Sequence, residues 1–96
     1  TEILGEIHFQ RGEFADAVSA FERALQVNPA HMRARMWLAA TLVQSGDIDE
    51  AAWQAEVLQL SFPGFSLRQL HYAFPFDDVT VRERVLQGLS RAGLPD

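Results

Sequence analysis

Apolar and small side chains recur at helical spacing in four stretches over the first two thirds of the chain. The pattern predicts helices over residues 1–11, 14–27, 30–45 and 48–61. Gly12 and Gly46 follow the first and third stretches, and glycine reaches the left-handed backbone that ends a helix at little cost. Asn28–Pro29 separates the second stretch from the third, because proline cannot continue a helix. The order of helices and turns indicates an all-α chain.

The first two pairs of helical stretches repeat each other at an interval of 34 residues. QRGEFADAV at residues 10–18 is matched by QSGDIDEAA at residues 44–52. The same shift aligns further identical residues, namely Leu4 with Leu38, Glu22 with Glu56 and Pro29 with Pro63. Within each repeat, Ala17 and Ala51 are small because two antiparallel helices cross closely there. An uninterrupted period of this length predicts stacked helix–turn–helix units.

The repeat resembles the tetratricopeptide family over residues 1–65. Leu4–Gly5 and Leu38–Ala39 stand where that family's first helix has a large residue followed by a small one. The residues that match the family's second-helix pattern are Ala17, Phe21, Ala24 and Pro29, and then Ala51, Ala55, Leu58 and Pro63, with Ala55 in place of an aromatic residue. The family's aromatic residue near the start of the first helix would fall on Arg35, whereas Trp37 stands two residues later. The resemblance implies a right-handed α-solenoid of antiparallel helix pairs.

After Pro63 the period fades, and capping signals predict a third helix pair. A short helix is predicted from about Leu67 to Pro75, because Ser66 and Gln69 have capping-box spacing and proline stops a helix. A second helix is predicted to follow, with Asp77, Asp78 or Thr80 as its N-cap and Thr80 and Glu83 at capping-box spacing. Its apolar face would consist of Val81, Val85 and Leu89. Gly93 and Pro95 are the signals that end it. The predicted organisation is one domain over residues 1–96: a first repeat at 1–31 that is truncated at its N-terminus, a second repeat at 32–65, and a capping helix pair at 66–96.

The tail also resembles the C-terminal ends of bacterial tetratricopeptide-bearing class III adenylate/guanylate cyclases and related signalling or transcriptional regulators. The matching residues are Pro63, Phe65, Ser66, Pro75, Phe76, Asp78, Gly88, Leu89, Ala92, Gly93, Leu94 and Pro95. This resemblance implies a natural C-terminus at or near residue 96 and a catalytic or sensory domain upstream. A chain cut from a longer protein also fits the first helical pattern, which is already running at Ile3.

Composition narrows the classes of function. The 96 residues carry a net charge of −5, and all eight basic residues are scattered arginines, which is a poor basis for binding nucleic acid. No apolar run approaches the roughly 18 residues of a membrane helix, so we expect no membrane insertion and a cytoplasmic location. The chain has no cysteine, which excludes disulfides and thiolate metal sites.

Candidate chemistry is sparse. None of His8, His31 and His71 forms an i,i+3 or i,i+4 ligand pair, and His8 is expected on the packed side of the first helix. Five carboxylates cluster where the second helix of each repeat begins: Glu13, Asp16, Asp47, Asp49 and Glu50. We attribute them to helix capping and to the helix dipole. Asp47 and Glu50 are expected to cap the helix reciprocally. The chain also lacks a glycine-rich phosphate loop and a Gly-x-Ser-x-Gly motif. We therefore predict no catalytic residue, no metal and no cofactor.

The tetratricopeptide resemblance implies a binding groove on the concave side, where the first helices of each pair lie. The residues it assigns to the groove are Glu2, Glu6, Phe9, Gln10, Arg33, Met36, Ala40, Val43 and Gln44. Phe9, Met36 and Val43 would be apolar anchors, and Met36→Glu would weaken partner binding without unfolding the domain. The alternative is an ordinary solvated face. A second aromatic group is either a core for the capping pair or a partner anchor, and it comprises Phe62, Phe65, Tyr72, Phe74 and Phe76.

Two functions fit this sequence. The first is a protein–protein interaction module that binds a peptide, a partner domain or another domain of its own chain on the concave face. The alternative is a C-terminal regulatory or structural cap of a multidomain bacterial signalling protein, such as a nucleotide cyclase, with no external ligand. In that case the apolar edge at residues 3–9 would be the seam to a preceding repeat, and the isolated chain would form a homodimer through its exposed first helix.

Overall fold

The computed structural model of the chain describes residues 2–64, 79–91 and 93, and every structural statement below concerns those residues. They form five α-helices and no strand: α1 (Glu2–Gln10), α2 (Phe14–Val27), α3 (Met32–Ser45), α4 (Ile48–Ser61) and α5 (Val79–Arg91). The all-α prediction is confirmed, and the predicted bounds of α2 and α4 agree with the structure. The short helix predicted from Leu67, and most of the aromatic group around Tyr72, lie outside the described residues.

α3 is the centre of the domain, because α1, α2, α4 and α5 all pack against it. Its buried side chains run almost without interruption from Ala34 to Val43. α3 begins at Met32, two residues later than predicted, because His31 is its N-cap and accepts a hydrogen bond at Nδ1 from the Ala34 amide at 3.2 Å. A helix covered on several sides carries apolar residues nearly all round rather than on one stripe.

The turns after α1 and α3 are built by the same hydrogen bonds, 34 residues apart. Glu13 N donates to His8 O at 2.9 Å, and Asp47 N donates to Leu42 O at 2.9 Å. This six-to-one closure needs a left-handed residue, and Gly12 and Gly46 provide it, with φ of 77° and 92°. The predicted role of both glycines is confirmed. The repeat is therefore visible in the backbone as well as in the sequence.

The cap at the start of α4 is only half as predicted. The Asp47 carboxylate accepts a hydrogen bond from the Glu50 amide at 3.4 Å, as expected of an N-cap. The Glu50 carboxylate instead accepts from Gln54 Nε2 at 3.1 Å, and the Asp47 amide donates back to α3. The reciprocal capping box is therefore wrong, because Gln54, one turn further on, binds the Glu50 carboxylate.

An aromatic core joins the first helix pair to the second. Trp37 is fully buried, with its ring centroid 5.1 Å from that of Phe9, edge-on, and 5.9 Å from that of Phe21, nearly parallel. Arg35, at the family's usual aromatic position, serves a different purpose. Its guanidinium donates to Gln54 Oε1 at 2.7 Å and to Pro29 O at 3.1 Å. The indole of Trp37 thus fills the interface between the helix pairs, and Arg35 links α3 to α4 through its hydrogen bond to Gln54.

α5 packs against α3. It begins at Val79, so Thr80 lies inside the helix and is not its N-cap, which corrects that prediction. An ideally placed Cβ on Gly88 would lie 3.1 Å from both Cα and O of Ala40, so the two helix backbones meet at close range. Gly93, at φ 101°, follows the helix end as predicted.

Candidate functional site

The predicted groove residues of α3 form a stripe along one side of the helix. Met36, Ala40 and Val43 stand at positions i, i+4 and i+7, and we call them the α3 stripe. All three are buried, at 2 %, 0 % and 5 % exposure. Gly88 of α5 meets Ala40 at backbone distance, and Leu89 of α5 is fully buried in the same apolar cluster. Ala40, the middle residue of the stripe, is therefore covered by a helix of the same chain.

Phe9, the predicted anchor on α1, also lies in the core. It is fully buried, with its ring centroid 5.6 Å from that of Phe14 and 5.1 Å from that of Trp37. Met36 and Val43, at 2 % and 5 % exposure, offer almost no surface to a partner in this conformation. Met36→Glu would place a carboxylate where the side chain is 2 % exposed, so we expect it to destabilise the fold rather than only to weaken binding.

The charged ends of the predicted groove pair with each other. Arg33 Nη2 donates to Glu6 Oε1 at 3.0 Å, and Arg33 Nε donates to Glu6 Oε2 at 3.4 Å. The pair links α1 to α3 and is partly buried, with the Glu6 side chain 14 % exposed. Gln10 is exposed and Gln44 is half-buried, while the side chain of Glu2 lies outside the described part of the chain. The predicted groove residues around the α3 stripe are thus the amides of Gln10 and Gln44 and the ion pair of Glu6 with Arg33, which carries no net charge.

A second apolar surface lies on α1. Ile3, Leu4 and Ile7 are 69 %, 44 % and 47 % exposed, which agrees with the predicted apolar edge. A shift of 34 residues places Ile3 on Trp37 and Ile7 on Thr41, and both of these α3 residues are fully buried. We call Ile3, Leu4 and Ile7 the α1 edge. It includes the position whose counterpart, Trp37, packs against Phe9 and Phe21 of the preceding helix pair.

The turn between α1 and α2 brings together an imidazole and two carboxylates. His8 Nδ1 lies 3.0 Å from Glu13 Oε1, and one oxygen of Asp16 completes a group whose ligand atoms are within 4.8 Å of one another. The hydrogen bond from His8 lowers the pKa of Glu13 below its ordinary value of 4.5, helped by the positive charges of His8 and Arg11 and opposed by desolvation. Together, His8, Glu13 and Asp16 offer the kinds of ligand atom that could hold a cation. The pair escaped sequence reasoning because its i,i+5 spacing spans a turn rather than a helix.

Comparison with known families gives one result that covers more than half of the chain. A family model described as Tetratricopeptide repeat matches residues 4–61. Comparison with curated proteins and with solved structures gives no match. None of the described helices combines the length and the apolar character needed to cross a membrane.

Proposed function

Because the chain belongs to the tetratricopeptide repeat family, we propose that it is a protein–protein interaction module whose binding surface is the concave face of α1 and α3. Repeats of this family generally mediate protein–protein interaction, and domains built from them are typically non-catalytic. One observation carries the proposal: the α3 stripe already holds a helix, with Gly88 of α5 against Ala40. A face that buries one helix has the shape and the apolar character to bind another protein segment.

The electrostatics of this face suggest the kind of partner. Glu6 and Arg33 pair with each other at 3.0 Å, so the surface beside the α3 stripe is close to neutral. Binding would then depend on apolar contact and on amide hydrogen bonds from Gln10 and Gln44, rather than on a basic clamp for a carboxylate. We therefore expect only weak dependence of the affinity on salt.

Site-specific photo-crosslinking in the source cells tests the proposal. A photoreactive amino acid replaces Gln44, at the edge of the concave face, and the matched control carries it at Gln26, an exposed glutamine of α2. We expect a discrete crosslinked protein from the Gln44 variant and none from the Gln26 variant. Equal crosslinking from both positions, or from neither, would contradict binding on the concave face.

A second candidate function rests on the α1 edge. Its counterparts on α3 are buried, and Trp37 among them packs against the preceding helix pair, which supports a role as the end of a longer array or as a homodimer contact. We expect the isolated chain to dimerise with rising concentration, and Ile3→Glu or Ile7→Glu to abolish the dimer. Leu60→Glu is the control, since Leu60 is 75 % exposed on α4. A chain that sediments as a monomer at every concentration would rule out the homodimer.

The regulatory role as the tail of a nucleotide cyclase stays a prediction. No match supports the cyclase resemblance, and the residues that carry it lie largely outside the described part of the chain. The bacterial origin and cytoplasmic location that accompany it are predictions of the same kind. Any sequence upstream of Thr1 would distinguish the two functions. A cyclase domain there would favour the regulatory tail, and further repeats would favour a long binding groove.

A further inference from the structure

We propose that α5 is an exchangeable occupant of the α3 stripe, and that the partner is an amphipathic helix which replaces it. The inference rests on the proposed function, because it concerns the same concave face and names the form of the partner. Gly88 meets Ala40 at backbone distance, so no second chain can contact Ala40 while α5 is in place.

The close approach of the two helices defines the first requirement on an incoming segment. An ideally placed Cβ on Gly88 would lie 3.1 Å from Cα and O of Ala40 and 3.2 Å from its Cβ. Two of these three atoms are backbone and cannot rotate away. A side chain larger than that of glycine at this point would push the helices apart. The partner helix therefore needs a very small residue where it crosses Ala40.

The neighbours of Gly88 define the second requirement. Leu89 is fully buried, and Leu86 is partly buried against the cluster that includes Met36 and Val43. The intervening Gln87 is exposed. α5 thus presents a Leu-x-Gly-Leu segment to the core cluster that contains the α3 stripe, and a polar residue to solvent. A partner helix with the same arrangement of leucine and a small residue matches the stripe.

The competition between α5 and a partner has a thermodynamic consequence. The apparent affinity for a partner is the intrinsic affinity reduced by the fraction of molecules in which α5 has left the stripe. A substitution that weakens the contact of α5 with the stripe and leaves α1–α4 folded should therefore raise the apparent affinity for the partner. A substitution on the solvent-exposed side of α5 should leave that affinity unchanged.

The test uses the full chain and a fluorescent synthetic peptide of residues 79–93 as the probe. In the Gly88→Val chain the tethered helix clashes with Ala40, so we expect this chain to bind the added peptide at least tenfold more tightly than the unaltered chain does. Gln87→Val is the matched control, since it adds the same side chain on the exposed side of α5, and its affinity should equal that of the unaltered chain. A peptide that itself carries Gly88→Val should bind none of the three chains. Equal affinity of the native peptide for the Gly88→Val and Gln87→Val chains would overturn the proposal.

A second variant guards against misfolding. Leu89→Ser removes the buried anchor of α5 and leaves the close contact at Gly88 chemically unchanged. The folded state of each variant is followed by far-UV circular dichroism. If both Gly88→Val and Leu89→Ser unfold the whole chain, α5 is an integral part of the fold and is not exchangeable.

The two proposals can fail separately. Crosslinking through Gln44 without tighter peptide binding by the Gly88→Val chain would mean that the concave face takes a partner of another form, and only the present inference would be lost. Tighter peptide binding without any crosslinked protein would leave α5 exchangeable and would remove the external partner.

Discussion

Gly5→Ala tests whether the first helix pair is packed around one close contact. An ideally placed Cβ on Gly5 would lie 2.5–2.8 Å from three ring atoms of Phe21. Phe21 is fully buried and its ring lies nearly parallel to that of Trp37, so it cannot simply rotate away. Overpacking of this severity costs about 3 kcal/mol, and the better helix propensity of alanine offsets about 1 kcal/mol of it. The net loss of about 2 kcal/mol should lower the melting temperature of a chain of this size by roughly 8–16 °C.

The matched background for this change is Phe21→Leu, which removes the aromatic ring that the new methyl group would meet. In that background Gly5→Ala should keep its gain in helix propensity and lose most of the clash, giving a coupling free energy of about 2 kcal/mol between the two positions. Urea unfolding of the four chains, followed by far-UV circular dichroism, measures it. A neutral or stabilising effect of Gly5→Ala with Phe21 intact, or an equal effect in both backgrounds, would show that Phe21 leaves room for a methyl group at position 5.

Three further predictions concern single contacts. Met36→Glu should destabilise the fold by about 3–5 kcal/mol, because the carboxylate is buried without a partner; a cooperative urea transition at the unaltered midpoint would contradict this. A double-mutant cycle of Glu6→Gln and Arg33→Met should give a coupling free energy of about 0.5–1 kcal/mol that decreases with added salt. No coupling at low salt would show that the ion pair does not stabilise the fold. The lowered pKa of Glu13 means that its stabilising contact with His8 is present above the ordinary value of 4.5 and is lost as the pH falls through the lower folded value. In carboxyl-detected NMR titrations His8→Ala should raise the Glu13 pKa toward 4.5, and an unchanged value would rule out His8 as the cause.

The helices and turns were predictable because their signals are local. Gly12 and Gly46 adopt the left-handed conformation that their turns require, and both turns close with the same hydrogen bond. The small residues were predictable too, although their partners were not. Phe21 meets Gly5 in the first repeat, whereas the equivalent positions of the second repeat hold two alanines. A large side chain on one helix is accommodated by a small residue on its neighbour, and which two residues are matched in this way is known only once the contacts between the helices are known.

The covering of the concave face was not predictable, for a physical reason. Periodicity assigns Met36 and Val43 to one side of α3, but it does not say which other element packs on that side. α5 lies more than thirty residues further along the chain, outside the repeat that guided the prediction. The pairing of Glu6 with Arg33 was hidden in the same way, since 27 residues separate the two side chains. Both contacts are tertiary, and both change what the surface offers to a partner.

NMR of the unaltered chain measures the contact between α5 and the α3 stripe most directly. With selectively labelled alanine methyl groups, we expect a nuclear Overhauser effect between the Ala40 methyl group and the α-protons of Gly88, because the two backbones meet at close range. We also expect a soluble paramagnetic agent to leave the Ala40 methyl signal intact. An Ala40 methyl group with no cross-peak to Gly88, and with a signal broadened by the agent, would mean that the stripe is open and that α5 does not cover it.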